Sequence, residues 1–279
     1  MLIVVLFAAL LHAIWNGLIK VDDDCMSAMT LIVAIQAAIS IVLMFFVPWP
    51  AKAGWPFLIG AVFLHAGYRI FLVEAYRFGN LGRVYPISRG SSPLIVSLVA
   101  LLFAGETLGL HGWASVGIIA AGIMSLALVR DLDPVRDGRA VIMALASGIL
   151  AAIYTVVDAL GARHSGSASA YMIWVTFADA VVFLPLMLFW KGARMMHALA
   201  TRRTWVAGAI AGATGFAAYW MVIWALSVAP IGLVSAARST SIAFATLLGI
   251  IYFKEPLTLL RGASVVAIAV GTALLKVGH

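Results

Sequence analysis

The sequence predicts an all-α integral membrane protein: ten transmembrane helices, arranged as two inverted repeats of five. Three observations lead there. Of 279 residues, 64% are hydrophobic and 10% charged, and the mean hydropathy is +1.10. A soluble domain of this size has too little interior for that much apolar surface, so lipid must cover most of it. The apolar residues also come in uninterrupted runs suited to helices that need about 20 residues each to cross a bilayer, without the alternation of a membrane barrel. Finally, the two halves of the chain match when one is slid over the other.

The elements follow in order. "MLIVVLFAALLHAIWNGLIK" lacks a charged n-region and is long for a cleaved signal, so it reads as a first span, Leu2–Ile19. After "KVDDD" comes Ala28–Val47, and after "VPWPAKAGWP" comes Pro56–Phe78. "FGNLGR" precedes Val84–Phe103, and "AGETLG" precedes Leu110–Val129. The most polar segment, "RDLDPVRDGR" (Arg130–Arg139), falls near the middle and divides repeat 1, about residues 1–130, from repeat 2, about 139–279, within one membrane domain. The second half gives Ala140–Leu160, Ala168–Trp190, Trp205–Val228, Leu233–Phe253 and Thr258–Val277. Its breaks are "GARHSGS", "KGARMMHALATRR", "VAPIG" and "KEPLT".

Sliding the halves together lays "ARSTSI" over "SRGSSP". Arg89 then meets Arg238, Ser92 meets Ser241, Glu106 meets Glu255, and Gly122 meets Gly271. At a slightly shorter offset "AIW" (Ala13–Trp15) lies over "AIY" (Ala152–Tyr154). Because five is odd, the second repeat enters the membrane with opposite polarity. Such inverted repeats mark secondary transporters, whose site lies near the midplane between the halves.

The pattern resembles the drug/metabolite transporter superfamily, in its ten-helix EamA branch, over essentially the whole chain. The carriers are "ALLHAIWNGLIK", "FAGETLGLHGWASVGIIAAGIMSL" and "YFKEPLTLLRGASVVAIAVGTALL". The paired "GE" and "KEP" elements before Gly- and Ala-rich helices are the most specific part. The resemblance implies alternating access around a central cavity and a bacterial inner (cytoplasmic) membrane. It does not imply a substrate. One feature departs from the small multidrug members, which use an acid in the first helix for proton-coupled export. Here that helix offers His12, Trp15 and Asn16, and no acid; Asp158 falls near the expected end of the sixth helix.

Ionisable groups at mid-membrane are functional candidates by default. Arg89 and Arg238 share one repeat position, which would aim both at the central cavity, and a guanidinium holds carboxylate or phosphate through a fixed fork. Ser92 and Ser241 would add donors, while Pro86, Gly90 and Pro93 could loosen the fourth helix. The alternatives are an arginine snorkelling to the interface or an ion pair locking helices. In the third helix, "HAGYRIFLVEAYR" sets His65 and Arg69 one turn apart on a face. Glu74 and Asp179 are candidates for balancing charge or coupling. Trp15 and Tyr154 occupy equivalent positions and could wall a site, as could Asn16. Ordinary packing explains aromatics equally well. The glycines of "GAIAG" and of the fifth and tenth helices read as close helix contacts, and Glu106 and Glu255 as structural carboxylates at helix starts.

These residues predict a transporter of a small anionic or zwitterionic metabolite, such as an amino acid or a phosphorylated compound, with protons or a counter-substrate as possible partners. One alternative is a carrier of cationic or neutral solutes with structural arginines; another is a membrane-embedded enzyme or sensor. No HExxH, GxSxG or phosphate-cradling GxxxxGK[ST] motif appears, and no cofactor or metal is implied. The net charge of +7 sits mostly at helix flanks, which argues against a nucleic-acid surface. Cys25 is the single cysteine, so neither a disulfide framework nor a thiolate cluster is possible within the chain. Most loop Lys and Arg, from Lys20 to Arg261, fall on one side of the membrane, against Lys52, Arg163 and Lys276 on the other. Positive-inside then sets both termini outside, whereas the resemblance implies both inside.

Overall fold

The computed structural model describes residues 1–19, 25–78, 81–125, 134–191, 202–253 and 258–277. These residues form helices and no strand. In chain order they are α1 (Leu2–Ile19), α2 (Cys25–Met44), a 3-10 turn (Lys52–Gly54), α3 (Trp55–Phe78), α4 (Leu81–Ala104) and α5 (Leu110–Ser125). Then come α6 (Pro134–His164), α7 (Ala168–Lys191), α8 (Arg202–Val228), α9 (Ile231–Arg238), α10 (Ser241–Phe253) and α11 (Leu259–Val277).

Among the described residues, seven helices are long and apolar enough to cross a membrane, with α9 and α10 acting as one (Ile231–Leu248). Three shorter apolar helices, Leu2–Asn16, Leu110–Ser125 and Leu259–Leu275, complete the expected ten. The outer surface is apolar as well: Phe189 is 93% exposed and Leu259 92%. Only hydrocarbon gives such side chains a favourable surrounding. This is an integral membrane protein.

Packing across the two halves is paired. α3 lies along α6, and its counterpart α8 lies along α1; α4 also packs on α6, and α9 and α10 on α1. α5 and α11 run against each other, as do α2 and α7. Glycines permit the close approaches. A Cβ at Gly122 would stand 2.9 Å from Ala267 Cβ, and one at the equivalent Gly271 would stand 2.6 Å from Ile119 Cγ1 and 3.0 Å from the Ser115 carbonyl oxygen. Gly212 of "GAIAG" is pressed in the same way onto Ile35 of α2, at 2.7 Å. The role read from the sequence for these glycines fits this geometry.

Two expectations change. The fourth helix is not loosened by its prolines: α4 runs unbroken, although Pro93 offers no N–H to the Arg89 carbonyl. The break falls instead in the matching ninth span, directly after Arg238. There Ser239 Oγ donates to the Ser235 carbonyl at 2.9 Å, Thr240 Oγ1 donates to the Ala237 carbonyl at 2.7 Å, and the Thr240 N–H bonds the same Ala237 oxygen at 3.2 Å. Side chains that take over the backbone's acceptors tighten the turn and end the helix. The sixth helix also runs past its expected end at Leu160 to His164. Hydropathy stops at the polar last turn, whereas the backbone does not. Asp158 is therefore well inside a helix.

The contact of α5 with α11 gives a direct test. Gly271→Val should destabilise the protein by about 1–3 kcal/mol, the usual effect of overpacking, as read by unfolding in detergent. Gly117→Val on α5, where a Cβ meets nothing within 4 Å, should have a much smaller effect.

Candidate functional site

Two arginines from equivalent helices approach one another's surroundings. Arg89 leaves the middle of α4, and its Nη2 donates to the Tyr68 hydroxyl at 3.0 Å, with the guanidinium 5.6 Å from the centre of that ring. Arg238 ends α9, close enough to act on Tyr154 of α6. Both arginines act electrostatically on Tyr154 and on His12 of α1. Helices α1, α4, α6 and α9 thus bring their polar groups to one place between the halves. Ser92 and Ser241 are buried beside their arginines, each 5% exposed.

Two other arginines, Arg69 and Arg163, have carboxylate partners. Arg69 Nη1 donates to both carboxylate oxygens of Asp179, at 2.6 and 2.5 Å, and its guanidinium lies 4.9 Å from the Phe183 ring centre. Asp179 and Phe183 are one turn apart on α7, so one helix supplies both the counter-charge and a cation–π face. Arg163 in the last turn of α6 bonds Glu106 at 2.7 Å and the carbonyls of Leu226 and Ala229 at 3.0 and 2.7 Å. By contrast, no carboxylate is within ion-pair distance of Arg238 among the described residues.

Aromatic rings connect the centre to a second polar cluster. Tyr154 stands edge-on to His65 at 4.4 Å and to Tyr68 at 5.4 Å. Behind it, Asp158 is 1% exposed. It accepts the Tyr171 hydroxyl at 3.1 Å and the Tyr219 hydroxyl at 2.6 Å, and lies 3.1 Å from His65 Nε2. Gly161 makes this possible, because a Cβ there would collide with the Tyr171 ring. Sequence reasoning gave Asp158 and Tyr171 no role. The readable signal was the rarity of acids, 11 Asp and Glu in the whole chain, one of which sits deep in a span.

The remaining candidates are distributed as follows. The Trp15 ring is edge-on to His12 at 5.0 Å, and its Nε1 donates to His12 Nδ1 at 3.1 Å. Asn16 Nδ2 donates to the His12 carbonyl at 2.7 Å, so its amide faces its own helix. Trp15 and Tyr154, though equivalent in sequence, make no ring contact among the described residues. Glu74 is half-buried on α3.

Glu106 is structural, but it does not begin its own helix. It precedes α5 by a loop, and its Oε2 accepts the Ile231 backbone N–H at 2.5 Å, which caps the first turn of α9 in the other half. The carboxylate still meets the positive end of a helix dipole, that of a partner brought close by the fold. With Arg163 it borders a polar recess of about 340 Å³ that Pro230 and Ser227 help to line. Glu255 lies outside the described residues.

The model of the EamA-like transporter family matches residues 138–277. No curated protein matches the chain. Chains of solved structures do, 29 in all. One, described as "Crystal structure of protein", has a TM-score of 0.79 at 16% identity, covering 99% of this chain and 96% of its own. That likeness is one of fold.

Removing the charge at Glu106 should loosen the tie between the halves. Glu106→Gln should lower stability by roughly 1–3 kcal/mol, the range for buried hydrogen bonds to charged groups, in detergent unfolding. Substrate selectivity should stay as it is; a changed selectivity would assign Glu106 to the binding site instead.

Proposed function

Because the chain belongs to the EamA-like transporter family, a family of ten-helix membrane transporters of the drug/metabolite type, we propose that it is a secondary transporter of a small anionic or zwitterionic metabolite. It works by alternating access in a bacterial inner membrane. Arg89 and Arg238 hold a carboxylate or phosphate between the halves, Ser92 and Ser241 orient it, and Tyr154 and Trp15 form the walls. The repeats, about residues 1–130 and 139–279, rock against each other around that point. The reciprocal packing of α3 on α6 and of α8 on α1 supports the two-fold relation.

A single observation carries the substrate class. Arg69 and Arg163 each have a carboxylate partner, whereas Arg238 has none among the described residues, and Arg238 and Arg89 both act on Tyr154 and His12. An uncompensated cation in a membrane interior is unfavourable, and a bound anion would offset that through charge-assisted bonds. The rival reading, that all three central arginines are permanently paired, holds for Arg69 and Asp179. On that account Arg69 supports the site from outside and does not touch the solute. The protein moves the solute and leaves its bonds intact.

The test is uptake into proteoliposomes of labelled amino acids and sugar phosphates. Arg89→Gln and Arg238→Gln should each reduce uptake about tenfold or more, since one charged hydrogen bond amounts to about 1.5–3 kcal/mol. Arg69→Gln should act mainly by lowering the amount of folded protein. Unchanged anion uptake in both of the first two variants would make the pair structural and the reading wrong.

A further inference from the structure

Among the described residues, the interior holds two buried carboxylates with different partners. Asp179 is bound by Arg69 through one nitrogen to both oxygens. A guanidinium is always charged, so that carboxylate has a permanent cationic partner. Asp158 has no arginine partner among the described residues. Its partners are His65 and the hydroxyls of Tyr171 and Tyr219, contributed by α3, α7 and α8. Imidazole exchanges protons near neutral pH, and phenol hydroxyls donate to a carboxylate without fixing its charge. We infer that the His65–Asp158 pair is a proton-binding site, and that the proton it takes up travels in the same direction as the transported anion.

The surroundings support a pair that can hold or release one proton. On its own helix, His65 has Tyr68 and Arg69 for neighbours, and Arg69 is neutralised by Asp179 of α7. From α6 it faces Asp158 and Tyr154, with Arg163 farther along held by Glu106. Tyr171 of α7 and Tyr219 of α8 complete the ring around the carboxylate. The 3-10 turn contributes Lys52, which is exposed. Outside this shell, Arg89 of α4 bonds Tyr68 and Arg238 of α9 acts on Tyr154. With the proton bound, the pair is imidazolium and carboxylate and is neutral overall; without it, the pair carries one negative charge.

That difference is felt at the anion site. Tyr154 stands edge-on to the His65 ring and also feels the charge of Arg238. A negative pair behind Tyr154 repels an anion held by the arginines, and a neutral pair does not. Proton and anion therefore favour each other's binding, and by linkage the effect is reciprocal. The step is simple: a proton from water on one side adds to the imidazole, and the same proton returns to water on the other side. The direction of coupling rests on the proposed anion site; the proton site stands on the geometry of His65 and Asp158 alone.

The experiment uses the full protein with two readouts. In infrared difference spectra of the purified transporter between about pH 5 and 8, the wild type should show titration of the pair, and His65→Gln should remove it. If His65→Gln leaves the spectrum unchanged, the proton site is overturned, whatever the transport data say. In proteoliposomes containing labelled glutamate and an internal pH dye, an acid exterior should drive about tenfold accumulation per pH unit for one proton carried, with acidification inside. Asp158→Asn should retain glutamate counterflow and lose both the accumulation and the acidification. Coupled accumulation that persists in Asp158→Asn contradicts the inference. Absence of glutamate uptake in every mode contradicts the choice of an amino-acid anion, while the infrared titration still decides the proton site.

Discussion

A charge inside hydrocarbon must be balanced or hydrated, and most of this structure's interior follows from how each buried charge meets that demand. Arg69 is matched by Asp179, and Arg163 by Glu106. Asp158 is bonded by three side chains from three helices. Each solution is also a helix contact, so the same bonds that make the charges tolerable hold α3 to α7, α6 to the turn before α9, and α6 to its neighbours. In water such pairs would add little. Where the apolar surroundings give helices no hydrophobic reason to associate, polar bonds and close glycine packing are the available glue.

Where the two halves face each other, Arg238 has no carboxylate within ion-pair distance among the described residues. Arg238 stands at the end of a helix broken by "RSTS", whose hydroxyls occupy the carbonyls that would have continued it. Its counterpart Arg89 sits in an unbroken helix beside two prolines. Equivalent positions have therefore kept the same cation while taking different backbones.

Much of the fold was legible because transmembrane helices declare themselves by length and apolarity, and because Arg89 and Arg238 occur in matching words. The helix ends were less so. Hydropathy cannot see α6 continue to His164 once Arg163 enters, since that arginine is satisfied by the Leu226 and Ala229 carbonyls from another part of the chain. For the same reason Asp158 was read as a near-terminal residue and passed over. The cap made by Glu106 was right in chemistry and wrong in partner, because which helix start comes near a carboxylate is a tertiary fact. Trp15 and Tyr154 illustrate the limit of repeat matching: equivalent positions, but one ring is taken by His12 and the other by His65.

The central claim is that the space around Arg238 and Arg89 is made for an anion. The most direct measurement is the thermal unfolding of purified protein against a panel of amino acids, organic acids, phosphorylated metabolites and organic cations, for wild type and Arg238→Gln side by side. The account predicts that one or more anionic or zwitterionic compounds raise the wild-type Tm, and that the variant loses this response while remaining folded. Stabilisation by cations alone, or an equal response to the same anion in Arg238→Gln, would contradict it.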